Sequence, residues 1–419
     1  MFTRDLRVRD NPVLTAARAG GDRVVPLFVL DRDLPVHSTN RFGFLCQSLV
    51  DLDSSLRARD ALLVVRRGDW VQEILQLAYE ARASAVHLAR DVSGYARRRV
   101  VRLRAAAEPL GVQVVEHDAV TVVPPDALEK PYLVFTPYWK RWLATPWRAP
   151  EPIAPALALP NPPESVAIPD ASPPGNWVGG ETAALARLKA WTARGLAQYE
   201  QVRDDPAVDA TARLSPYLHF GCVSPLEVAN RLRDRTGGGA FVRQLCWRDF
   251  FAQLLWARPE LAHTSMRAAG AARPIDDPDA LAIWKEGRTG YPLVDAGMRQ
   301  LRAEGWMHNR VRMVTASFLT KDLGIDWRAG AAHFMELLVD GDVASNQLNW
   351  QWVAGTGTDT NPHRVLNPTR QAERFDAEGV YTHRWIPELD TPAYPAPIVD
   401  HGEAIERWKA ARRDATVSD

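Results

Sequence analysis

The sequence predicts an α/β domain with a parallel sheet over residues 1–123, a proline-rich connector over 124–180 and an all-α domain over 181–419. Three observations carry this. Strand-length apolar runs alternate with helix-length amphipathic runs in the first part, prolines crowd Pro146 to Pro174, and from Glu181 onward strand signals nearly vanish. Such alternation implies parallel strands covered by helices on both faces.

In chain order, Val24 to Leu30 reads as a buried strand. Arg41 to Arg57 is a helix, because Phe44, Leu45, Leu49, Leu52 and Leu56 share one side. Leu62 to Arg66 is a strand, Trp70 to Ala83 a helix, Ala85 to Leu88 a strand, Arg97 to Leu110 a helix and Val112 to Glu116 a strand. The opening is abrupt: Met1-Phe2 before Thr3-Arg-Asp-Leu-Arg7 reads as the exit of a strand whose body is missing. The connector is expected to run extended over a surface, with Tyr138-Trp-Lys-Arg-Trp142 as a docked helix within it. Further on, Gly290 to Asp295 is a loop entering a helix, Arg310 to Leu323 an amphipathic helix and Gly355 to Pro362 a loop.

Composition narrows the function classes. The 419 residues carry 51 Lys+Arg and 51 Asp+Glu, so a nucleic-acid partner must be met by a local basic face. Hydrophobic residues at 46% and charged residues at 24% exclude a disordered or fibrous chain. Cys46, Cys222 and Cys246 have no ligand spacing, which excludes a disulfide scaffold and a cysteine zinc site and fits a reducing cytoplasm. Apolar runs are too short to span a bilayer, and Arg4, Asp5, Arg7 and Asp10 speak against a signal peptide. The expectation is a soluble, cytoplasmic protein. Phosphate-loop, His-Glu-x-x-His and Gly-x-Ser-x-Gly patterns are missing and the histidines lack metal spacing, so hydrolase and metalloenzyme readings lose ground.

Fifteen tryptophans stand out, seven of them between Trp247 and Trp352, and indoles can serve a core or stack on flat ligands and bases. Five unusual segments fall in the helical part. They are Thr211-Ala-Arg-Leu-Ser-Pro-Tyr-Leu-His-Phe-Gly221, Trp247-Arg-Asp-Phe-Phe251, Trp284 to Arg299, Gly305-Trp-Met-His-Asn-Arg-Val-Arg-Met313 and Asp340-Gly-Asp-Val-Ala-Ser-Asn-Gln-Leu-Asn-Trp-Gln-Trp352. The first, a hydroxyl-rich loop entering a helix, can offer hydroxyls and amides to a phosphate.

Together these segments resemble the photolyase/cryptochrome family, class I type. The resemblance extends from Thr3-Arg-Asp-Leu-Arg-Val-Arg-Asp-Asn-Pro12 to Trp385-Ile-Pro-Glu-Leu389 and Tyr394-Pro-Ala-Pro-Ile-Val399. It implies an N-terminal Rossmann-like antenna domain followed by an all-α domain that binds FAD. The implied activity is that of a carbon–carbon lyase: light-driven repair of cyclobutane pyrimidine dimers in UV-damaged DNA by a monomer, with the lesion flipped into a pocket. Tyr199, Thr211, Arg213, Leu214 and Ser215 align with residues around the FAD phosphates, and Arg248, Trp306 and Asn309 with others lining the flavin cavity. Arg312 and Asp340 match an ion pair beside the isoalloxazine, Asp342 a neighbour of the ring, and Asn346 the residue opposite flavin N5. Plant cryptochromes carry Asp at that last place, so Asn favours the repair branch. Trp247 and Trp352 match the indoles flanking the dimer, and Trp350 and Trp327 the proximal and middle members of an electron-transfer chain. Phosphates flanking the lesion are expected to meet arginines such as Arg310.

Several positions depart from the family. Its first strand has no counterpart, so an upstream start is expected. Pro274 stands where the distal tryptophan of the chain belongs, leaving another donor such as Trp284. Gln244 replaces a substrate-contacting Glu; it can hydrogen-bond the thymine edges but cannot donate a carboxylic proton. Gln also occurs there in (6-4) photolyases, but those pair it with two histidines where this chain has Asn309 and Met313, which favours the cyclobutane dimer. Ala212 replaces a serine, and Gln347-Leu-Asn349 replaces Asn-Gly-Gly. Asp91-Val-Ser-Gly-Tyr95 and Tyr138 to Trp142 favour 8-hydroxy-5-deazaflavin over methenyltetrahydrofolate as antenna, although Ser93 stands where an acidic contact belongs. The alternative activities are a cryptochrome-like blue-light photoreceptor and a (6-4) photolyase.

Overall fold

The structure is a computed structural model that describes every residue except 22, 32–36, 154–156, 158, 160–162, 209, 268–273 and 418–419, and the side chains of 414–417. The chain forms two compact units, residues 1–197 with 212–259 and residues 198–211 with 260–419.

The first unit pairs β1 (Leu27–Leu30) with β2 (Val64–Arg67) and β3 (Ala85–Ala89) with β4 (Gln113–His117), both pairs parallel. Leu27 lies opposite Val64, and Ala85 opposite Gln113. Met1 and Phe2 lie between the two pairs: the Phe2 amide donates to the Leu27 carbonyl at 2.8 Å, and the N-terminal ammonium to the His87 carbonyl at 2.9 Å. The helices of this unit are α1 (Pro12–Ala19), α2 (Thr39–Arg57), α3 (Trp70–Glu80), α4 (Gly94–Ala107), α5 (Phe135–Ala144), α6 (Glu181–Arg194), α8 (Ser215–Phe220), α9 (Pro225–Leu232) and α10 (Gly238–Ala257). Leu27, Val29, Val86 and Leu88 pack with Ile74 and Leu77 of α3 and Leu103 of α4. Ala89, next to Leu88 in the chain, packs with Val13 of α1. Side chains alternate along a strand, so helices cover both faces of β3. Described connector residues meet the α/β part: the Leu157 amide donates to the Arg59 carbonyl at 3.0 Å and the Val166 amide to the Val65 carbonyl of β2 at 2.9 Å.

The Thr3 to Pro12 motif is a structural knot. Arg7 is 1% exposed, and its guanidinium donates to the carbonyls of Asp10, Ala119 and Gly221. A buried cation is tolerable only with such full pairing. Gly221 ends α8 in a left-handed conformation (φ +69°), and a Cβ there would come within 1.9 Å of the Arg4 carbonyl oxygen. Only glycine meets both demands.

The second unit is helical: α7 (Tyr199–Val202), α11 (Pro278–Glu286), α12 (Pro292–Glu304), α13 (Asn309–Ser317), α14 (Trp327–Leu337), α15 (Val343–Ala354), α16 (Pro368–Phe375), α17 (Val380–Trp385) and α18 (His401–Val417), with a π-helical turn at Phe318–Asp322. Its core gathers Trp284, Leu293, Met298, Met307, Val311, Phe318, Phe334 and Trp350. The Thr-Gly-Tyr-Pro motif closes on Asp295, a buried carboxylate that accepts from the Thr289 amide at 2.8 Å, the Gly290 amide at 3.0 Å and the Tyr394 hydroxyl at 2.6 Å. Two segments that carry the resemblance are thereby joined for a structural reason. No helix among the described residues is long and apolar enough to cross a membrane.

Candidate active site

In the first unit the candidates Gln244, Trp247 and Arg248 sit on α10, where steps of three and four residues place them on one face. Asp249, 1% exposed, anchors that helix: its Oδ2 accepts from the Val122 amide at 2.9 Å, the Val123 amide at 3.1 Å and the Trp142 indole at 2.9 Å. Burial pushes the Asp249 carboxyl up to about 6, against the opposing pull of Arg248 and these donors. Arg248 donates to the carbonyls of Val120 at 2.5 Å and Leu218 at 3.3 Å. Trp247 is half-buried, with Phe135 of α5 stacked on its face at 3.6 Å between centroids and 2° between planes. Arg213 is left-handed (φ +45°), and Leu214 heads α8 with no side chain capping the first turn. Amides of an uncapped turn suit an anion.

In the second unit Trp306 follows Gly305, which ends α12 with φ +63°. His308 then caps α13, its Nδ1 accepting from the Arg310 amide at 3.3 Å. Asn309 is exposed and donates to Met313 Sδ one turn on, at 3.9 Å. Arg312 grips Asp340 with both terminal nitrogens, at 3.1 and 2.8 Å, while its Nε donates to the Met307 carbonyl at 2.8 Å. The fork geometry is the strong form of this pair. Asp342 caps α15 by accepting from the Ser345 amide at 2.8 Å, and Asn346 donates to the Ala331 carbonyl at 3.0 Å. Four-residue steps align Asp342, Asn346 and Trp350 along one face. Trp350 is buried, with Phe334 at 5.0 Å and Trp284 at 6.1 Å between ring centroids. Trp327 opens α14 and donates to Ser265 Oγ at 3.1 Å, and Pro274 shares a cavity wall with it. Trp352 is half-buried under the Arg364 guanidinium, 5.1 Å above its ring. Tyr199 is buried, which pushes its phenol up to about 12, and Thr211 is half-buried. Arg310, expected on phosphates, pairs with Asp204 at 2.9 Å and lies over Phe375.

Burial pushes the His308 imidazole down to about 4, with Asp204 opposing. Between pH 6.5 and 4 the unfolded chain therefore takes up a proton that the folded one refuses. Stability present above pH 6.5 is lost as pH falls toward the folded value, by about 3 kcal/mol at most from this group. Denaturant midpoints should accordingly fall from pH 7 to pH 5. The slope should be shallower in His308→Gln, and an equal slope in that variant would contradict the assignment.

A family model described as DNA photolyase matches residues 1–158, and one described as the FAD binding domain of DNA photolyase matches residues 241–393. A deoxyribodipyrimidine photo-lyase of Streptomyces griseus is 47% identical, covering 98% of this chain and 98% of its own. The chain belongs to the DNA photolyase family. Among solved structures, a class III photolyase from Agrobacterium tumefaciens superposes with a TM-score of 0.92 at 34% identity, covering 99% of this chain and 97% of its own. A photolyase from Sulfolobus tokodaii, described with two FAD molecules, superposes at 0.90 and 31%, covering 99% of this chain and 98% of its own. The photolyase fold, an N-terminal α/β domain and a helical FAD-binding domain, is thus the fold of this chain.

The FAD-binding span of the photolyase includes every candidate from Gln244 to Trp352 and leaves Tyr199, Thr211 and Arg213 to Ser215 outside it. The residues present fit the flavin. Within the second unit, the Arg312–Asp340 pair, the Asp342 carboxylate and the Asn346 amide are polar groups of the kind an isoalloxazine edge calls for; within the first, the first turn of α8, which no side chain caps, is of the kind a phosphate calls for. Sequence reasoning missed Asp249 and Phe135. Asp249 carried a signal, a carboxylate among the apolar residues of Phe241 to Leu255. Phe135 carried none, since its partner lies on a distant helix.

Proposed function

We propose that this photolyase uses light to split cyclobutane pyrimidine dimers in DNA. The observation that carries the reading is the similarity over nearly the whole chain to a deoxyribodipyrimidine photo-lyase, with one half-buried candidate indole in each unit, Trp247 and Trp352. Bound and reduced FAD would supply the light-driven electron donation that opens the dimer, a cycle with no net redox change. The chain's own residues bind and orient. Tyr199, Thr211, Arg213, Leu214 and Ser215 take the phosphates. Arg312 and Asp340, with Asp342, Asn346, Trp306 and Asn309, hold the isoalloxazine. Arg248, whose guanidinium is tied to two carbonyls, fixes the α10 wall of the pocket.

A dimer inside a duplex cannot reach a buried cofactor, so the lesion is extruded, and its disrupted stacking makes that step less costly. In the first unit Trp247 is the residue to stack on the dimer and Gln244 to hydrogen-bond the thymine edges; in the second, Trp352 is the second stacking indole, with Asn309 and Met313 as further lesion contacts. Trp350 and Trp327, with Trp284 against the former, would be the indoles that pass electrons inward when the cofactor is oxidised. A second, light-harvesting chromophore of the deazaflavin class belongs to the N-terminal domain. The relative with two FAD molecules supports such a second site. Here Ser93 caps α4 and Asp91 faces Arg4 at 3.5 Å, so both are committed to the fold. Trp352→Ala is expected to weaken binding to dimer-bearing DNA by about 1–3 kcal/mol through lost stacking, with binding to undamaged DNA unchanged. Equal affinity of variant and parent for the dimer would contradict the pocket.

A further inference from the structure

We infer that Phe135 is a positioning residue for lesion recognition, acting through Trp247. This rests on the reading that Trp247 flanks the flipped-out dimer. Phe135 opens α5, and two anchors on α10 bracket it. On one side, the Gln253 amide group exchanges hydrogen bonds with the backbone of Tyr132, at 3.0 and 2.8 Å. On the other, Trp142 donates its indole N–H to Asp249 at 2.9 Å. The span from Tyr132 to Trp142 is thus pinned at both ends.

Between those pins the Phe135 ring is laid on the Trp247 indole, with centroids 3.6 Å apart and planes 2° from parallel. Aromatic pairs left to themselves prefer offset or edge-on arrangements at larger separations. The face-to-face contact is therefore imposed by the anchors. Phe250 meets both rings edge-on, at 5.7 Å from Phe135 and 5.5 Å from Trp247, each at 90°. Phe251 closes on the indole at 5.6 Å. The exposed Arg243 sits over the Phe135 ring at 5.3 Å, where a cation favours the π-face.

Two consequences follow for a flat ligand. With Phe135 covering one face of the indole, only the opposite face can stack, so the side of approach is set before binding. The indole plane is also fixed in advance, so a stacking partner gains contact without the entropy cost of ordering that side chain. Removing the Phe135 ring should free Trp247 and weaken lesion binding, while contacts to DNA phosphates stay as they were.

The test uses the full-length, flavin-loaded protein and measures equilibrium binding to an oligonucleotide with one thymine dimer and to its undamaged counterpart. The variants are Phe135→Leu, Phe135→Tyr and, as reference, Trp247→Ala. Phe135→Leu should lower the preference for damaged over undamaged DNA by about fivefold to tenfold, entirely through weaker dimer binding, whereas Phe135→Tyr restores it. A Leu variant that keeps the parental preference while Trp247→Ala loses it would overturn the role of Phe135. The same holds if Leu and Tyr fall equally. A parental preference in Trp247→Ala itself would instead overturn the reading of the pocket, and with it this inference.

Discussion

Asp340→Ala should purify with little flavin and lose about 3–5 kcal/mol of stability. The carboxylate is 3% exposed and takes both terminal nitrogens of Arg312, whose own side chain is 23% exposed. Breaking such a pair from one side leaves a guanidinium that water reaches poorly and that the Met307 carbonyl alone cannot satisfy. Asp340 also precedes the Asp342 cap by two residues, so the entry to α15 and the Asn346 amide behind it should shift. Arg312→Ala/Asp340→Ala should recover part of the stability lost in the single variant, because no unpaired charge remains. Flavin should not return, since the polar edge stays incomplete. Chemical denaturation and the flavin-to-protein ratio read both effects. Parental stability in Asp340→Ala would remove the pair from the account.

Asp249→Ala should cost about 3–5 kcal/mol, because one oxygen satisfies two buried amides and a buried indole, and their loss leaves donors without partners. The consequence reaches the pocket. Trp142 is the C-terminal anchor of α5, so its release should loosen the Phe135 ring from Trp247. Asp249→Asn keeps an acceptor of the same shape and should lose much less. Comparing unfolding free energy with near-UV dichroism of the tryptophans separates the two variants. An alanine variant as stable as the asparagine variant would show that the three donors find other partners.

The parts of this protein that were legible in the sequence are those governed by local periodicity. The strands at Leu27, Val64, Ala85 and Gln113 and the helices between them follow from apolar spacing, with boundaries shifted by about a turn or less. Within the candidate site, Asp342, Asn346 and Trp350 were singled out by the resemblance of their segment, and the structure adds that one helix carries all three at four-residue steps. What escaped depended on contacts between distant segments. Phe135 and Trp247 stack across more than a hundred residues, and no propensity encodes that a proline-rich connector docks α5 there. The ion pair of Arg310 with Asp204 was likewise invisible, because the two lie more than a hundred residues apart. The Thr3 to Pro12 segment carried the resemblance without showing its reason, which is that its buried arginine and its aspartates tie the first unit together. α10 shows the limit from another side. Apolar residues lie on more than one side of it, so periodicity alone does not mark the half-buried Gln244, Trp247 and Arg248 as the residues that meet a ligand.

The central claim is tested most directly by illuminating oligonucleotides that carry a defined thymine dimer with near-UV to blue light, in the presence of the purified, chemically reduced protein under anaerobic conditions. Chemical reduction makes the result independent of Pro274 and of the tryptophan route. The account predicts loss of the dimer in the light, none in the dark, and restoration of two unlinked thymines. Flavin bound at full occupancy with the dimer intact after illumination would contradict it.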